Sequence, residues 1–234
     1  MARRSFSPGA LTAPVPAVLV SVGDMEKANI LTIGWTGILA TSPAKTYISV
    51  RPSRYSHGII MQTREFVINL TTDAMAYAAD FAGIYTGAKV DKFERLGLTK
   101  CKSEKVSAPT VAESPLSLEC RVTDVWHMGT HDVFVADIVS VSCDESILDE
   151  KGKIRLDRAG LMAYAHGEYY KLGEVIGRFG FSTDKADSVR KKPKPEVAEK
   201  KSRRRRQEEK AEPRKPFYTT APGYKKRGRK KGGK

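Results

Sequence analysis

A mainly β fold, a barrel with a few inserted helices, is what the sequence predicts for residues 1–184. Three observations lead there. Short runs rich in Val, Ile, Thr and aromatic residues recur, bounded by Gly, Pro, Asn or Asp. Several alternate apolar and polar residues with period two. Helical spacing of apolar residues intrudes in only a few places between them.

The strand-like runs are Ala17–Val22, Ile30–Ile33, Tyr47–Val50, Phe66–Leu70, Leu116–Val125 and Val133–Val141. In the fifth, Leu116, Leu118, Cys120 and Val122 share one face, with Ser117, Glu119, Arg121 and Thr123 on the other. Such alternation predicts antiparallel strands with one wet face. A first helix is expected over Ser53–Thr63, after Pro52 and with Ser53 as its N-cap. A second is expected over Thr72–Tyr85, where Ala74, Ala78, Phe81, Ala82 and Tyr85 form one stripe. A third, Asp91–Leu96, stops at Gly97, since glycine reaches the left-handed conformation that closes a helix. Residues 150–153 read as a hairpin or loop tip.

Charge divides the chain. From Lys185 to Lys234 there are 21 basic and 6 acidic residues, leaving 20 basic and 21 acidic residues before them. The overall charge of +14 therefore belongs to residues 185–234. That excludes reading the whole protein as a basic nucleic-acid-binding fold. The 185–234 segment carries five prolines and almost no large aliphatic residue, a composition expected to stay disordered. No apolar run approaches the roughly 20 residues a membrane-spanning helix needs. A secretory signal is not expected, because no apolar stretch follows Arg3 and Arg4. Cys101, Cys120 and Cys143 lie far apart with no CxxC, against both a disulfide framework and a zinc site. Cytoplasm is the expected compartment.

Two stretches carry chemistry. In Tyr47–His57 a strand delivers Ser49 and Arg51 to its end, and a helix starts within a few residues. Unpaired N–H groups at that helix start, with Ser53, Arg54 and Ser56, are a recipe for binding a phosphate. The same residues also read as a plain cap with solvated arginines. In Asn29–Pro43, small and hydroxylated residues surround Trp35, and Gly34 and Gly37 leave room for a planar ligand. A twisted strand with a core Trp reads equally well.

The runs "NILTIGWTG", "SVRPSRYSHGII" and "EFVINL" between Asn29 and Asn69 resemble the flavin reductase-like, FMN-binding split-barrel family, especially its flavoredoxin-type and ferric-reductase-type members. "YTGAKVDKFERLGLT" (85–99), "GTHDVFVADIVSV" (129–141) and "YYKLGEVIGRFGFS" (169–182) continue the resemblance in order. Ala136 stands where many relatives have Gly, and residues 185–234 have no counterpart in the family pattern.

The resemblance implies FMN held without a covalent bond at a homodimer interface. It places Asn29, Thr32, Trp35 and Thr36 by the ring, and Ser49, Val50 and Arg51 alongside it. Arg54, Ser56 and His57 would reach the phosphate or ribityl chain, and Lys92 would lie near the phosphate. His131 would lie beside the flavin and the nicotinamide as the catalytic histidine. Asp132, adjacent on a strand, points to the opposite face and is not expected to form a dyad with it. His127 and His166 are expected to be structural or on the surface.

The implied activity is a reductase that accepts hydride from NAD(P)H onto FMN and passes electrons to flavin, a ferric complex or a protein. With no GxGxxG, the nicotinamide would need an open groove. Two alternatives stand beside it: an FMN electron carrier without nicotinamide chemistry, and a barrel scaffold whose basic tail binds nucleic acid. A pyridoxamine-phosphate oxidase type shares the barrel but fits "SVRPSRYSHG" less well. For 185–234 the natural partners are polyanions: nucleic acid, an anionic membrane face or an acidic redox protein.

Overall fold

The structure is a computed structural model, and it describes residues 3–183. It divides into a unit running to Ile176 and a second that starts at Gly177. Of the second, the described part holds a short turn of 3-10 helix at Phe181–Thr183.

In the first unit, the strands are β1 Val15–Pro16, β2 Val18–Val22, β3 Asn29–Ile33, β4 Thr36–Thr41, β5 Ala44–Val50 and β6 Glu65–Asn69. They continue as β7 Lys100–Cys101, β8 Thr110–Val111, β9 Leu116–His127, β10 Asp132–Cys143, β11 Met162–Ala165 and β12 Glu168–Lys171. The helices are α1 Tyr55–Thr63, α2 Ala76–Ile84 and α3 Lys92–Leu96. Seven strands form the main sheet in the order β3-β2-β6-β9-β10-β5-β4, and β1-β11-β12 form a small one.

The two edge strands of the main sheet, β3 and β4, are joined by Gly34 and Trp35 alone. So short a link brings the end of β3 beside the start of β4, so the sheet curls into a barrel that stays split between its two edge strands. At the junction the Ser49 amide donates to the Trp35 carbonyl at 3.0 Å. Inside, alternate residues from six strands meet: Val18 and Val20, Leu31 and Ile33, Ile48 and Val50, Phe66 and Ile68, Cys120 and Val122, Phe134 and Ala136. Ile60 of α1 plugs this core. Period two along each strand is what puts these side chains on one face.

Outside the barrel, Leu19 and Ile30 pack against Met75, Ala78, Phe81 and Ala82 and against Phe93 and Leu96 of α3. The alanines let α2 approach the sheet closely. Both faces of β2 are thus covered, and all five of its residues are buried.

The expected runs all fall on strands, and the structure adds β1, β4, β7, β8, β11 and β12. β4 realises the twisted-strand reading of Asn29–Pro43, though its exposed positions and Gly37 hide the alternation. The wet face expected on 116–125 is corrected in part: Ser117 and Glu119 are buried. Residues 103–108 fold over that face, and the Glu119 carboxylate accepts from the Glu104 and Lys105 amides at 2.9 and 2.6 Å. The Ser53 cap is also corrected, for α1 starts at Tyr55 with Arg54 in the capping position and no side-chain cap. The second helix begins as a 3-10 turn at Asp73–Met75. The third ends at Leu96 as expected but starts one residue later, at Lys92: the Asp91 side chain caps it by accepting from the Glu94 amide, and Gly97 closes it at φ +62°. Among the described residues no helix is long and apolar enough to cross a membrane.

Candidate functional site: two adjoining clefts

The link between β3 and β4 opens a cleft of about 290 Å³. Thr32–Trp35 form its floor and Ser49–Arg51 with His131 one wall. Asp80 and Gly83 of α2 line another side, with Val15, Ala17, Tyr164 and Tyr169 from the small sheet. Trp35 and His131 lie ring against ring, centroids 4.6 Å apart and tilted by 44°. His131 Nδ1 is within 2.9 Å of the Thr130 hydroxyl. Partial burial, with the Arg51 charge nearby, lowers the His131 pKa, so the neutral ring persists to lower pH. The Tyr169 hydroxyl donates to Asp80 at 3.3 Å, and burial beside that carboxylate raises its pKa to about 12.

A second cleft, of about 370 Å³, opens between the start of α1 and the end of α2. Asn29, Leu31, Ser53, Tyr55, Ser56, Ala82, Tyr85, Thr86, Gly87 and Lys92 line it. Arg51 and Arg54 line both clefts, so the two adjoin. Lys92 is 3% exposed, and its ammonium donates to the Ile30 and Ala82 carbonyls at 2.7 and 2.9 Å. No carboxylate among the described residues pairs with it. An ammonium has three N–H donors, so one remains for a ligand. Burial, reinforced by the Arg54 charge, lowers the Lys92 pKa to about 8. The Asn29 amide donates to Ser56 Oγ at 2.6 Å, tying β3 to the first turn of α1. Gly87 passes so close that a Cβ there would stand 2.2 Å from Asn29 Oδ1. Arg54 is held by its own bond to the Gly83 carbonyl, 2.9 Å.

A buried cation without a carboxylate, two arginines and a helix start with no side-chain cap give the second cleft the donors an anion would need. The first is aromatic and half apolar. Residues 11–173 match the family model described as flavin reductase like domain. The chain belongs to the flavin reductase-like family. The flavoredoxin of Desulfovibrio vulgaris (Miyazaki F) has a structure similar to it, with TM-score 0.72 and 32% identity, covering 79% of this chain and all of that one. An uncharacterised protein of Archaeoglobus fulgidus is 35% identical over 57% of this chain and 75% of its own. An NADPH-flavin oxidoreductase of Streptomyces viridifaciens is 27% identical over 54% of this chain and 65% of its own.

In this flavin reductase-like barrel, the predicted residues separate by cleft. Thr32, Trp35, Ser49, Val50 and His131 line the first, Asn29, Ser56 and Lys92 the second, and Arg51 and Arg54 both. Thr36 and His57 stand outside both. The Thr36 hydroxyl donates to the Tyr47 carbonyl at 2.5 Å. His57 turns instead to Asp132, at 2.7 Å. Gly34 lines the first cleft, whereas the space beside Gly37 is filled by the Tyr47 ring. Residue-level reasoning did not single out Asp80, Tyr164, Tyr169, Thr86 or Gly87. Thr86 and Gly87 lie within 85–99 and Tyr169 opens 169–182, stretches that carry the family resemblance, whereas Tyr164 reaches the cleft through the pairing of β1 with β11 and Asp80 through α2. His127, expected to be structural or on the surface, is largely exposed yet bonded to Asp132 at 2.8 Å.

The clefts fit a flavin mononucleotide in kind: a cationic pocket for a phosphate beside an aromatic one for a ring. Among the described residues no group of three or more His, Cys, Asp or Glu is arranged to hold a metal.

Proposed function

We propose that the protein is an FMN-dependent reductase that takes hydride from NAD(P)H and passes electrons to a flavin, a ferric complex or a protein acceptor. The observation that carries this is Lys92, a buried ammonium with a free donor in a cleft that adjoins an aromatic one through Arg51 and Arg54. FMN, when bound, supplies the hydride-accepting ring and the means of releasing electrons onward.

The protein's part is placement and electrostatics. Lys92, Arg54 and Ser56 would hold the phosphate, with Asn29 orienting Ser56 and Arg51 lying between the clefts. Trp35, Thr32, Ser49 and Val50 would receive the ring. His131, against Trp35 and with a lowered pKa that favours the neutral ring, would orient the nicotinamide without adding a charge. Tyr164, Tyr169 and Val15 exclude water from the opposite wall. NADH and NADPH are both candidate donors.

The protein acts as a homodimer on this reading. β4 is a sheet edge, and Ile38 and Leu39 on it are 64% and 45% exposed beside the half-exposed Trp35. A second copy covering that strip would hide its apolar surface. Three free thiols, Cys101, Cys120 and Cys143, suit a reducing cytoplasm. The 185–234 segment lies outside the described residues, and its excess of basic residues supports a polyanionic partner, nucleic acid or an acidic redox protein.

A second reading, an FMN electron carrier, is favoured by the 32% identity to a flavoredoxin. Anaerobic mixing of the FMN-loaded protein with NADH or NADPH separates the two. Prompt bleaching of the visible flavin band supports the reductase, and a flavin that stays oxidised until a protein donor is added supports the carrier.

A further inference from the structure

One carboxylate outside both clefts touches the elements that build each of them. Asp132 opens β10, is 6% exposed, and pairs in register with Val50 of β5 and His127 of β9. Its Oδ2 accepts from Nε2 of His57 at 2.7 Å, and its Oδ1 accepts from Nδ1 of His127 at 2.8 Å. The carboxylate has no proton to give, so each facing ring nitrogen carries one. His57 sits in the first turn of α1, its ring edge-on to Phe134 at 5.3 Å. His127 ends β9, and the turn after it brings the chain back through Gly129 to His131, closed by the Met128 amide on the His131 carbonyl at 2.9 Å.

We propose that Asp132 is a positioning residue with two separable arms, and the proposal rests on the FMN reading above. Through His57 it fixes the start of α1, where Arg54 and Ser56 line the phosphate cleft. Through His127 it fixes the turn that carries His131 against Trp35. Helix starts and hairpin turns are ends of elements, where backbone bonds run out and local opening is easiest. A buried carboxylate that accepts from both removes that freedom at both ends at once. His131, in the turn just before the strand, lines the first cleft, whereas Asp132 lines neither cleft. The arms therefore act through the backbone, with neither ring touching a ligand.

The two arms should have different readouts in the full-length protein with FMN as the probe. His57→Leu removes the donor and keeps the bulk. It should weaken FMN binding by about tenfold or more, the range of a hydrogen bond to a charged group, and leave the reduction rate of bound flavin unchanged. His57→Gln can place an amide N–H near the position of Nε2 and should restore most of that affinity. His127→Ala is a surface change. It should slow reduction of bound FMN by NAD(P)H roughly two- to fivefold, as suits a largely exposed partner, with FMN affinity unchanged. Asp132→Asn should show both losses if it folds, and the single histidine variants decide the matter if it does not.

Equal FMN affinity in wild type and His57→Leu would overturn the proposal, as would a His57→Gln variant no better than His57→Leu. So would an unchanged reduction rate in His127→Ala. A wild-type protein that takes up no FMN overturns the flavin reading and this proposal with it. A wild type that binds FMN while the variants behave identically overturns this proposal alone.

Discussion

Replacing Lys92 by Met removes a buried ammonium while keeping an unbranched side chain of similar length. In the wild-type fold the Lys92 pKa falls from 10.5 to about 8, mainly through burial. Holding the charge at neutral pH therefore costs on the order of 3 kcal/mol, less whatever the open cleft restores by hydration. Against this, the ammonium bonds two carbonyls and offers a third donor to a phosphate, an interaction worth about 1.5–3 kcal/mol. The variant should bind FMN about 10- to 100-fold more weakly at pH 7, with little change in the thermal midpoint of the apoprotein. Riboflavin, which lacks the phosphate, should bind both proteins alike.

The pH dependence has a definite sign. Because the folded pKa is depressed, the apoprotein gains stability as pH rises through about 8 toward 10.5. Phosphate binding needs the charged form, so wild-type FMN affinity should fall as pH rises above about 8. The Met variant should be flat over that range. Fluorescence titration of FMN and riboflavin at several pH values reads all of this. Equal FMN affinity in the two proteins, or a wild-type profile flat across pH 8, would refute the assignment of Lys92 to the phosphate.

Three other changes have expected outcomes. His131→Ala should slow flavin reduction by NAD(P)H at least about tenfold, or 1.4 kcal/mol in the barrel's contribution to the barrier, with a smaller effect on FMN affinity; stopped-flow absorbance and titration measure the two. Gly87→Ala would set a methyl 2.2 Å from Asn29 Oδ1, so calorimetry should show a loss of about 1–3 kcal/mol and titration a weaker FMN complex. Removing 185–234 should leave FMN content and reduction intact and abolish retention on a polyanion such as heparin or RNA, a retention that in the full chain weakens steeply with salt.

The parts of this fold that were legible in the sequence are those set by neighbours along the chain. Alternation in 116–125 marked a strand, and Asp91 and Gly97 marked both ends of α3, because capping is a bond between residues a few positions apart. The phosphate cleft was half legible for the same reason, since a strand end and a helix start lie together in 47–57. What was not legible depends on distant pairing. Tyr164 and Tyr169 become cleft walls only because β1 pairs with β11, and Asp132 meets His57 across 75 positions. The burial of Glu119 followed from a loop folding back over the sheet, which no period-two pattern encodes. Even Lys92 needed more than its neighbours: the charge reads as a solvated surface in its own helix, and only β3 and α2 bury it.

The central claim is that this chain holds FMN and that NAD(P)H reduces it there. The most direct measurement is the visible spectrum of the purified full-length protein after loading with FMN and removal of free flavin, before and after anaerobic addition of NADH or NADPH. One FMN retained per chain, bleached on mixing with at least one of the two nucleotides, is the predicted result. A protein that emerges colourless, or that retains FMN which neither nucleotide reduces, would contradict the account.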